Sequence, residues 1–538
     1  MNQRLAAMAL VVTAVVAAAC SGSDAPSDTI RIEGGGPYDP AEVVVADRSV
    51  PANGEPGDVT ERDCPQHLVG MGLRCVWVTV PIDREAPSAG NMAVSVVIRP
   101  GTGDKSRAPL AVLQGGPGGA SSDLAFSLAS RPYAQVLIDQ RGVGFGSADF
   151  WCREWQVALA SIFEATRDRA DDIASRAFAA CADRFEHNPA FVHTSTEAHA
   201  ADVVEVMAAL GYERWLLYGV SYGSTIALEV LRDGPEGLEG AVLDGVYPGS
   251  LDVDADIARG TERVIRELDE ECSVDPACSA ILKSATGGED VTMAGLLAEL
   301  IPRFNADPIV ISFSAEETTL MEPFDALIDG DSVAGALFQM LYNEFTATVL
   351  PGVLAGLARY DDEDTAGEGG PADAAQIVAL IGVESASAQA HTGAPATFAA
   401  VTCAEWLPLA SGPPTGVGEF AAAVVGEGLT AQCEPWAIAE SPLPSGPVQS
   451  DLPVLLISGW FDPITPPSFA EQAAEHLLHS THIVSRTRGH GIWVWGYDNC
   501  VDRIVADFLA EPGAELDTAC ASEDRPLRWQ PLFVTPSA

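Results

Sequence analysis

The stretch WLLYGVSYGSTIALEV, residues 215–230, decides the fold class. An apolar run of strand length ends at Gly219, and after Ser221 the apolar residues recur at helical spacing. A serine between Gly219 and Gly223 at such a boundary fits the sharp turn called a nucleophile elbow, because a side chain at either glycine would crowd the neighbouring backbone. The setting predicts that Ser221 is a nucleophile. The alternative is a small-residue turn without chemistry.

Strand and helix patterns alternate on both sides of this stretch. The predicted strands are short apolar runs bounded by Pro, Gly or Asp. Strands that alternate with helices predict a doubly wound, mostly parallel sheet. The predicted strands are 76–82, 92–98, 110–113, 135–138, 214–218, 240–244, 453–458 and 481–485, and the predicted helices are 196–210, 221–232, one from about 467, and 499–510.

The pattern divides the chain into five segments. From about 248 to 450, helical segments and loops replace the alternation, which predicts one split α/β domain with a large, mostly helical insertion. Within it, the acidic run 361–373 is predicted to be a flexible loop. The predicted segments are a signal peptide over 1–20, a solvated tether rich in Gly, Pro, Ser and Asp over 21–60, the first half of the core over 61–247, the insertion over 248–450, and the second half of the core over 451–538.

The first twenty residues predict export. Arg4 precedes an apolar run over 5–19 that is short for a permanent membrane helix. Small residues before Cys20 and the SGS after it resemble the lipobox of bacterial lipoproteins, in which this cysteine is lipidated after cleavage. The sequence therefore predicts lipidation at Cys20 and a location on the outer face of the bacterial cytoplasmic membrane. An ordinary secretory signal is the alternative.

Cysteine usage agrees with export. The chain has 11 cysteines, and setting Cys20 aside leaves an even number, as disulfides in an oxidising compartment require. Metal binding is the competing interpretation, but no C-x-x-C and no histidine pair at ligand spacing accompany the cysteines, so no metal and no cofactor are predicted. Nearest-neighbour pairing predicts Cys64 with Cys75, Cys152 with Cys181, Cys272 with Cys278, Cys403 with Cys433, and Cys500 with Cys520.

The net charge bears on the class of partner. Lys and Arg number 29 against 76 Asp and Glu, which gives a net charge of -47. Such a surface repels phosphate backbones. The sequence therefore predicts no nucleic-acid partner.

A serine nucleophile needs a base and a buried carboxylate that orients the base. In this strand-turn-helix context the order along the chain is serine, acid, histidine. The run VLLISGWFDPITPP places Asp462 just beyond a strand end, whereas Asp451 precedes that strand, and SRTRGHGIWVWG places His490 in the loop after the next strand. We therefore predict Asp462 and His490. The rival histidines are predicted on a helix face for His476 and His479 and inside a strand for His482.

Thr465 and Pro466 follow the predicted acid. Thr and Pro at the start of a helical pattern are typical of an N-cap and a first-turn residue. The sequence predicts these capping roles, with a hydrogen bond from Thr465 to Asp462 as the alternative.

Stabilising the oxyanion of a tetrahedral intermediate takes two backbone N–H groups. One follows the nucleophile, at Tyr222. The loop QGGPGG at 114–119 comes directly after an early strand, and its glycines let the backbone approach a substrate, so Gly116 is predicted as the second donor. This loop lacks the Lys-Ser/Thr ending of a phosphate-binding P-loop.

Five motifs in one order resemble the proline iminopeptidase and tripeptidyl aminopeptidase family of α/β-hydrolases. The chain is most similar to the exported branch with a C-terminal TAP-like segment, from about Cys64 to its end. Gln114 stands where the iminopeptidases often have His. The motifs are QGGPGG at 114–119, DQRGVGFG at 139–146, GVSYG at 219–223, DPITP at 462–466 and RGHG at 488–491.

The resemblance implies that the insertion is a cap over the active site and that its carboxylates hold the free amine of a peptide substrate. Glu405, beside Cys403 in VTCAEWLPL, is the predicted carboxylate, and an ordinary surface acid is the alternative. Asp139 and Arg141 are expected to brace the oxyanion loop.

Together these features predict a lipid-anchored serine hydrolase that cleaves short peptides from a free N-terminus through an acyl-enzyme. A carboxylesterase or an endopeptidase with the same three residues is one alternative. A binding protein of the cell envelope that keeps a hydrolase fold without turnover is another.

Overall fold

A nine-stranded sheet forms the centre of the molecule. The computed structural model describes residues 30–32, 43–45, 52–103, 107–360, 371–443, 446–496, 498–523 and 526–532. The strands are β1 (Ile30–Ile32), β2 (Val43–Val45), β3 (Val59–Arg62), β4 (Arg74–Pro81), β5 (Asn91–Arg99), β6 (Leu110–Leu113), β7 (Gln135–Ile138), β8 (Trp215–Val220), β9 (Leu238–Asp244), β10 (Ile309–Phe313), β11 (Phe324–Ile328), β12 (Ser450–Gly459) and β13 (Leu477–Ser485).

The sheet order is β13-β12-β9-β8-β6-β7-β5-β4-β3. The pairs from β7 to β13 across the sheet are parallel, whereas β3, β4 and β5 add an antiparallel edge. Strands β6, β7 and β8 are buried along their whole length, as expected for parallel strands with both faces covered. Because β8 lies near the middle of the sheet, Ser221 stands at the carboxyl end of a central strand.

Helices cover the sheet and build the insertion. In the part of the chain that the structure describes, α1 to α5 precede β9, α6 to α14 lie between β9 and β12, and two helices follow β12. The helices are α1 (Arg153–Phe163), α2 (Arg167–Phe185), α3 (Pro189–Val192), α4 (Thr196–Ala209), α5 (Tyr222–Asp233), α6 (Val253–Val274), α7 (Pro276–Lys283), α8 (Met293–Ala306), α9 (Gly330–Met340), α10 (Glu344–Ala358), α11 (Pro371–Thr392), α12 (Pro395–Val401), α13 (Glu419–Val425), α14 (Gly428–Cys433), α15 (Pro467–Ala474) and α16 (Asn499–Ala510).

The insertion has a hydrophobic core of its own. Side chains of α6 to α11 and of the β10–β11 hairpin pack together, and Leu268, Leu300 and Leu354 are completely buried there. Phe461, from the loop after β12, belongs to the same cluster. The insertion core therefore continues into the second half of the α/β domain.

The beginning of the chain differs from the predicted tether. Strand β3 begins at Val59 and pairs with β4, so the sheet starts inside the segment 21–60, where β1 and β2 also pair with each other. The signal peptide over 1–20, with Cys20, and most of the acidic run 361–373 lie outside the described residues. Among the helices that the structure describes, none has the length and apolarity to span a bilayer.

Five disulfides join the cysteine pairs that nearest-neighbour pairing predicts. Their Cα–Cα distances run from 5.2 to 5.9 Å, within the usual range for a disulfide. The Cys403–Cys433 bond fixes the segment of the insertion that carries Glu405.

Candidate active site

Ser221 occupies a strained turn between β8 and α5. Its backbone has φ 57° and ψ -129°, a region that residues other than glycine rarely adopt. The turn closes tightly: a Cβ at Gly219 would lie 2.3 Å from the Gly223 carbonyl oxygen, and one at Gly223 would lie 2.4 Å from that of Leu113. The elbow therefore requires both glycines. The N-terminus of α5 lies directly behind the serine and favours negative charge there.

The predicted acid and base are in contact. His490 Nδ1 lies 2.8 Å from Asp462 Oδ2, and the carboxylate also accepts hydrogen bonds from the backbone N–H groups of Ile464 and Thr465, both at 2.9 Å. Burial alone would raise the pKa of Asp462, but His490 and the hydrogen bonds lower that pKa below its ordinary value. The same pair raises the pKa of His490 above its ordinary value, although burial opposes this.

Ser221 and His490 both lie beside the end of β9. The Ser221 N–H donates to the Asp244 carbonyl at 3.0 Å, and a Cβ on the next residue, Gly245, would lie 3.2 Å from His490 Cε1. Among the described residues, the imidazole bonds to Asp462 and Thr465, and no hydrogen bond joins it to Ser221 Oγ. The nucleophile–base bond is often long in the absence of substrate. The structure thus brings the three predicted residues to one corner of the sheet.

Thr465 does not cap α15. The helix begins at Pro467 with Pro466 at the N-cap position and no side-chain cap, so the predicted capping roles are wrong. Instead the Thr465 hydroxyl donates to Asp462 Oδ2 at 2.5 Å and lies 2.9 Å from His490 Nδ1. The physical reason is burial, since a hydroxyl that is 1% exposed has to find a polar partner.

The rival histidines lie elsewhere. His479 belongs to strand β13, and His476 lies between the end of α15 and that strand, so their predicted placement on a helix face is wrong. Strand β13 begins earlier than the sequence predicts, at Leu477. His482 lies in β13 as predicted, and its Nε2 is 3.0 Å from Ser458 Oγ.

The oxyanion loop after β6 packs directly on the nucleophile. A Cβ at Gly115 would lie 2.6 Å from the Ser221 Cβ. The Gly115 N–H donates to Gln114 Oε1 at 2.9 Å, whereas no acceptor for the Gly116 N–H occurs among the described residues. The backbone of Gly116 therefore fits the role of second oxyanion donor, with Tyr222 at the first position of α5 as the other.

Gln140 holds this loop in shape. Its amide nitrogen donates to the Gly115 carbonyl at 2.9 Å, and its amide oxygen accepts from the Gly118 N–H at 2.9 Å. Sequence reasoning missed this residue, although it lies inside the motif DQRGVGFG. The two flanking residues are completely buried on either side of it.

Asp139 and Arg141 both act as internal braces. Asp139 accepts from the Ser122 N–H at 2.8 Å and from the Ser95 hydroxyl, and burial raises the pKa of its carboxyl to about 7. Arg141 forms a bidentate pair with Asp202 at 2.7 and 2.9 Å. Asp139 thus holds the segment just after the oxyanion loop, whereas Arg141 bonds to α4 and not to residues 114–119, so the expected bracing of the loop by Arg141 is wrong.

Asp244 anchors the loop that carries the base, and sequence reasoning missed it. Its carboxylate accepts from the N–H groups of Ile492 at 2.9 Å and Trp493 at 2.8 Å, and from the Tyr218 hydroxyl at 2.9 Å. The side chain is completely buried. An aspartate at the carboxyl end of a predicted strand was the signal available in the sequence.

The insertion also supports the acid and base, through residues without a local sequence signal. The Arg263 guanidinium on α6 donates to the carbonyls of Trp460 and Asp462, both at 2.6 Å. The backbone N–H of His490 donates to the Tyr342 carbonyl at 3.0 Å, and the two side-chain rings meet edge to face with centroids 5.1 Å apart.

Glu405 lies in a π-helical turn, Thr402–Trp406, and is 1% exposed. Its two carboxylate oxygens accept from the N–H and the hydroxyl of Thr196, at 2.7 and 2.5 Å. Burial raises the pKa of Glu405 to about 7, although these hydrogen bonds act in the opposite direction. The predicted contact with a substrate amine stays a prediction, because the carboxylate is engaged inside the protein.

No group of three or more His, Cys, Asp or Glu side chains with metal-binding geometry occurs among the described residues.

Two family models match the chain. The model of the alpha/beta hydrolase fold matches residues 108–278, which contain the oxyanion loop and the elbow. The model of the TAP-like protein matches residues 418–520, which contain Asp462 and His490. The two models thus cover both halves of the corner described above.

Three named relatives are similar to parts of the chain. Serine protease Hip1 from Mycobacterium tuberculosis is 25% identical over 231 residues, which is 40% of this chain and 44% of the relative. A probable proline iminopeptidase from Streptomyces coelicolor is 31% identical over 164 residues, 30% of this chain and 40% of the relative. Tripeptidyl aminopeptidase from the same species is 28% identical over 198 residues, which is 34% of this chain and 36% of the relative. The chain matches less than half the length of each relative.

Proposed function

Because the chain belongs to the α/β-hydrolases, in the family of the proline iminopeptidases and tripeptidyl aminopeptidases, we propose that it is a serine hydrolase that releases short fragments from the free N-terminus of peptides. The observation that carries this proposal is the buried Asp462–His490 pair beside Ser221 at a nucleophile elbow. The relatives with these names supply the peptide class, and the geometry supplies the chemistry.

The contacts of the site support the following reaction. His490 accepts the Ser221 hydroxyl proton as the oxygen attacks the peptide carbonyl, and the oxyanion is held by the N–H groups of Gly116 and Tyr222. The imidazolium then gives its proton to the departing amine, which leaves an acyl-enzyme. Water, deprotonated by His490, attacks the ester, and the proton returns to Ser221 as the acid product leaves.

Asp462 maintains the base during these steps. Its hydrogen bond to Nδ1 leaves Nε2 free to accept the Ser221 proton and stabilises the imidazolium. The Thr465 hydroxyl fixes the carboxylate oxygen that makes this bond. The carboxylate therefore acts on the base alone and needs no contact with substrate.

A fluorophosphonate probe tests the nucleophile. We expect the probe to label the wild-type protein and not Ser221→Ala. The neighbouring Ser224, whose hydroxyl donates to the Ser221 carbonyl at 2.6 Å, offers a matched control, since Ser224→Ala keeps the nucleophile. Equal labelling of the wild type and Ser221→Ala would refute the assignment.

A carboxylesterase is the second candidate, because the described contacts of Glu405 leave no carboxylate assigned to a substrate amine. Peptides with a free and with an acetylated N-terminus separate the two. Loss of turnover on acetylation supports the aminopeptidase. Equal turnover of both peptides, together with faster hydrolysis of simple esters, supports the esterase.

The proposed location is the outer face of the cytoplasmic membrane, with a lipid on Cys20. The N-terminal sequence and the five disulfides support it. Metabolic labelling with an alkynyl fatty acid should mark the wild-type protein and not Cys20→Ser. Labelling of both, or of neither, would reject the anchor.

A further inference from the structure

Four buried side chains form a continuous line of hydrogen bonds. It begins in the insertion and includes Tyr222, the residue next to the nucleophile. Glu405 Oε2 lies 2.5 Å from the Thr196 hydroxyl, which lies 2.9 Å from the Tyr222 hydroxyl, which in turn lies 3.0 Å from His199 Nδ1. Each of the four residues is at most 2% exposed. The line thus joins a turn of the insertion, the start of α4 and the start of α5.

Two arrangements make all three contacts and use every hydroxyl hydrogen within the line. The Thr196 N–H can only donate, and it donates to Glu405 Oε1 at 2.7 Å. The two hydroxyls each carry one hydrogen, so both have to donate in the same direction along the line. The direction is set at the Glu405 end. It depends on whether Glu405 Oε2 accepts a hydrogen bond from the Thr196 hydroxyl or donates one to it.

With Glu405 ionised, every donor in the line faces the carboxylate. Thr196 donates to Glu405, Tyr222 donates to Thr196, and His199 donates to Tyr222 from Nδ1. With Glu405 protonated, the order reverses, and Tyr222 donates to a bare Nδ1, so the His199 proton sits on Nε2. Among the described residues His199 Nε2 has no partner. An unpartnered buried lone pair is tolerated better than an unpartnered N–H, which favours the first arrangement.

We propose that Glu405, Thr196, Tyr222 and His199 form a directional hydrogen-bond chain, that the proton on Glu405 sets its direction, and that Glu405 positions the Tyr222 side chain through this chain. The kinetic part of the proposal rests on the proposed function. The direction of the hydrogen-bond chain is independent of the proposed function.

The charges around the chain agree with this assignment. Burial lowers the pKa of His199 to about 3, with Arg141 and Arg84 acting in the same direction and Asp202 against them. The imidazole is therefore neutral in both arrangements, and only its tautomer changes. At the other end, Glu197 on α4 and Glu229 on α5 add to the burial that raises the pKa of Glu405. Burial and Glu405 together keep Tyr222 in its phenol form, because both raise its pKa.

The tautomer of His199 is the direct test. NMR of the protein labelled with 15N and 13C at histidine distinguishes a proton on Nδ1 from one on Nε2. We expect the Nδ1–H form at about pH 8.5 and the Nε2–H form at about pH 5.5, with the change near the pKa of Glu405, about 7. His482, a partly buried histidine bonded to Ser458, is the internal reference.

The variant Glu405→Gln fixes the direction. Because the Thr196 N–H is a donor, the Gln carbonyl must face it, and the NH₂ group must donate to the Thr196 hydroxyl. Glu405→Gln should therefore show the Nε2–H form of His199 at both pH values, while the His482 signal stays unchanged. Thr196→Val, which removes the middle hydroxyl, should make the His199 tautomer independent of pH, and Thr196→Ser should restore the dependence.

Two results would overturn the proposal: one His199 tautomer in the wild type across this pH range, or the Nδ1–H form in folded Glu405→Gln.

In kinetics, Glu405→Gln should lower kcat by about tenfold at high pH for peptides and esters alike, the order expected on replacing one charge-assisted hydrogen bond with a neutral one. A rise in KM confined to free-amine peptides would assign Glu405 to substrate binding instead. If the protein hydrolyses neither substrate, the proposed function fails while the tautomer test still stands.

Discussion

The buried carboxyl of Asp139 offers a quantitative test of the structure. Burial raises its pKa from an ordinary 3.8 to about 7, against the hydrogen bonds from Ser95 and Ser122. In the unfolded chain the carboxyl loses its proton near pH 4, whereas in the folded protein it keeps the proton up to about pH 7. Between these values the folded state binds more protons, so this group's contribution to the free energy of unfolding falls as pH rises.

The magnitude follows from the two pKa values. Each pKa unit is worth about 1.4 kcal/mol at 25 °C, so the contribution falls by about 4 kcal/mol between pH 4 and pH 7 and is constant above that. Asp139→Asn removes this dependence and keeps the contacts. Its carbonyl can still accept from the Ser122 N–H, and its NH₂ can donate to the Ser95 hydroxyl, whose hydrogen turns to the Val143 carbonyl at 3.4 Å.

Urea unfolding, followed by tryptophan fluorescence at several pH values, measures the difference. From pH 5 to pH 7 the wild type should lose about 1.4 kcal/mol per pH unit relative to Asp139→Asn, and the two curves should run parallel above pH 7. Asp63→Asn, at an exposed aspartate, controls for the loss of one acidic side chain. A constant difference between wild type and Asp139→Asn over the whole range would refute the buried, protonated carboxyl.

Three further predictions concern the site. Thr465→Val should lower kcat by about tenfold with KM unchanged, because the hydroxyl touches Asp462 and His490 rather than substrate, and Thr465→Ser should restore it in steady-state assays. The acidic limb of kcat/KM against pH should lie above 6.5, because Asp462 raises the pKa of His490 and only neutral imidazole accepts the proton; a limb below 6.5 would contradict this. Asp244→Asn should destabilise the protein by about 2 kcal/mol in urea unfolding, since an amide cannot accept from both N–H groups and the Tyr218 hydroxyl.

What the sequence predicts correctly here is local. The strand, turn and helix around Ser221 follow from a buried apolar run, two glycines and a helical pattern within 16 residues. The pairing of the cysteines follows from their spacing, because each pair closes a loop of at most 30 residues. At the antiparallel edge, the sequence predicts β4 and β5 as strands but not their pairing, because pairing partners cannot be read from single apolar runs, and it does not predict β3.

What the sequence does not reveal at Thr465 and Glu405 has one physical cause, which is burial set by distant parts of the chain. Thr465 carries a capping pattern, yet the fold buries its hydroxyl against Asp462, and this contact replaces the cap. Glu405 is one acid among 76 in the sequence, and only the fold shows that Thr196, more than 200 residues away, engages it. Local rules describe which contacts a side chain favours. Tertiary packing decides which of them are available.

The contacts of the insertion constrain how a substrate can enter. The Arg263 guanidinium on α6 donates to the carbonyls of Trp460 and Asp462. The Tyr342 carbonyl accepts a hydrogen bond from the backbone N–H of His490. The Arg488–Glu344 ion pair ties the start of α10 to the same loop as the base. If α6 or residues 341–344 moved away, the Asp462–His490 pair would lose its backbone supports, and the elevated pKa of the base depends on that pair. Any movement of the insertion that keeps the Asp462–His490 pair intact therefore has to leave α6 and the start of α10 seated on the core.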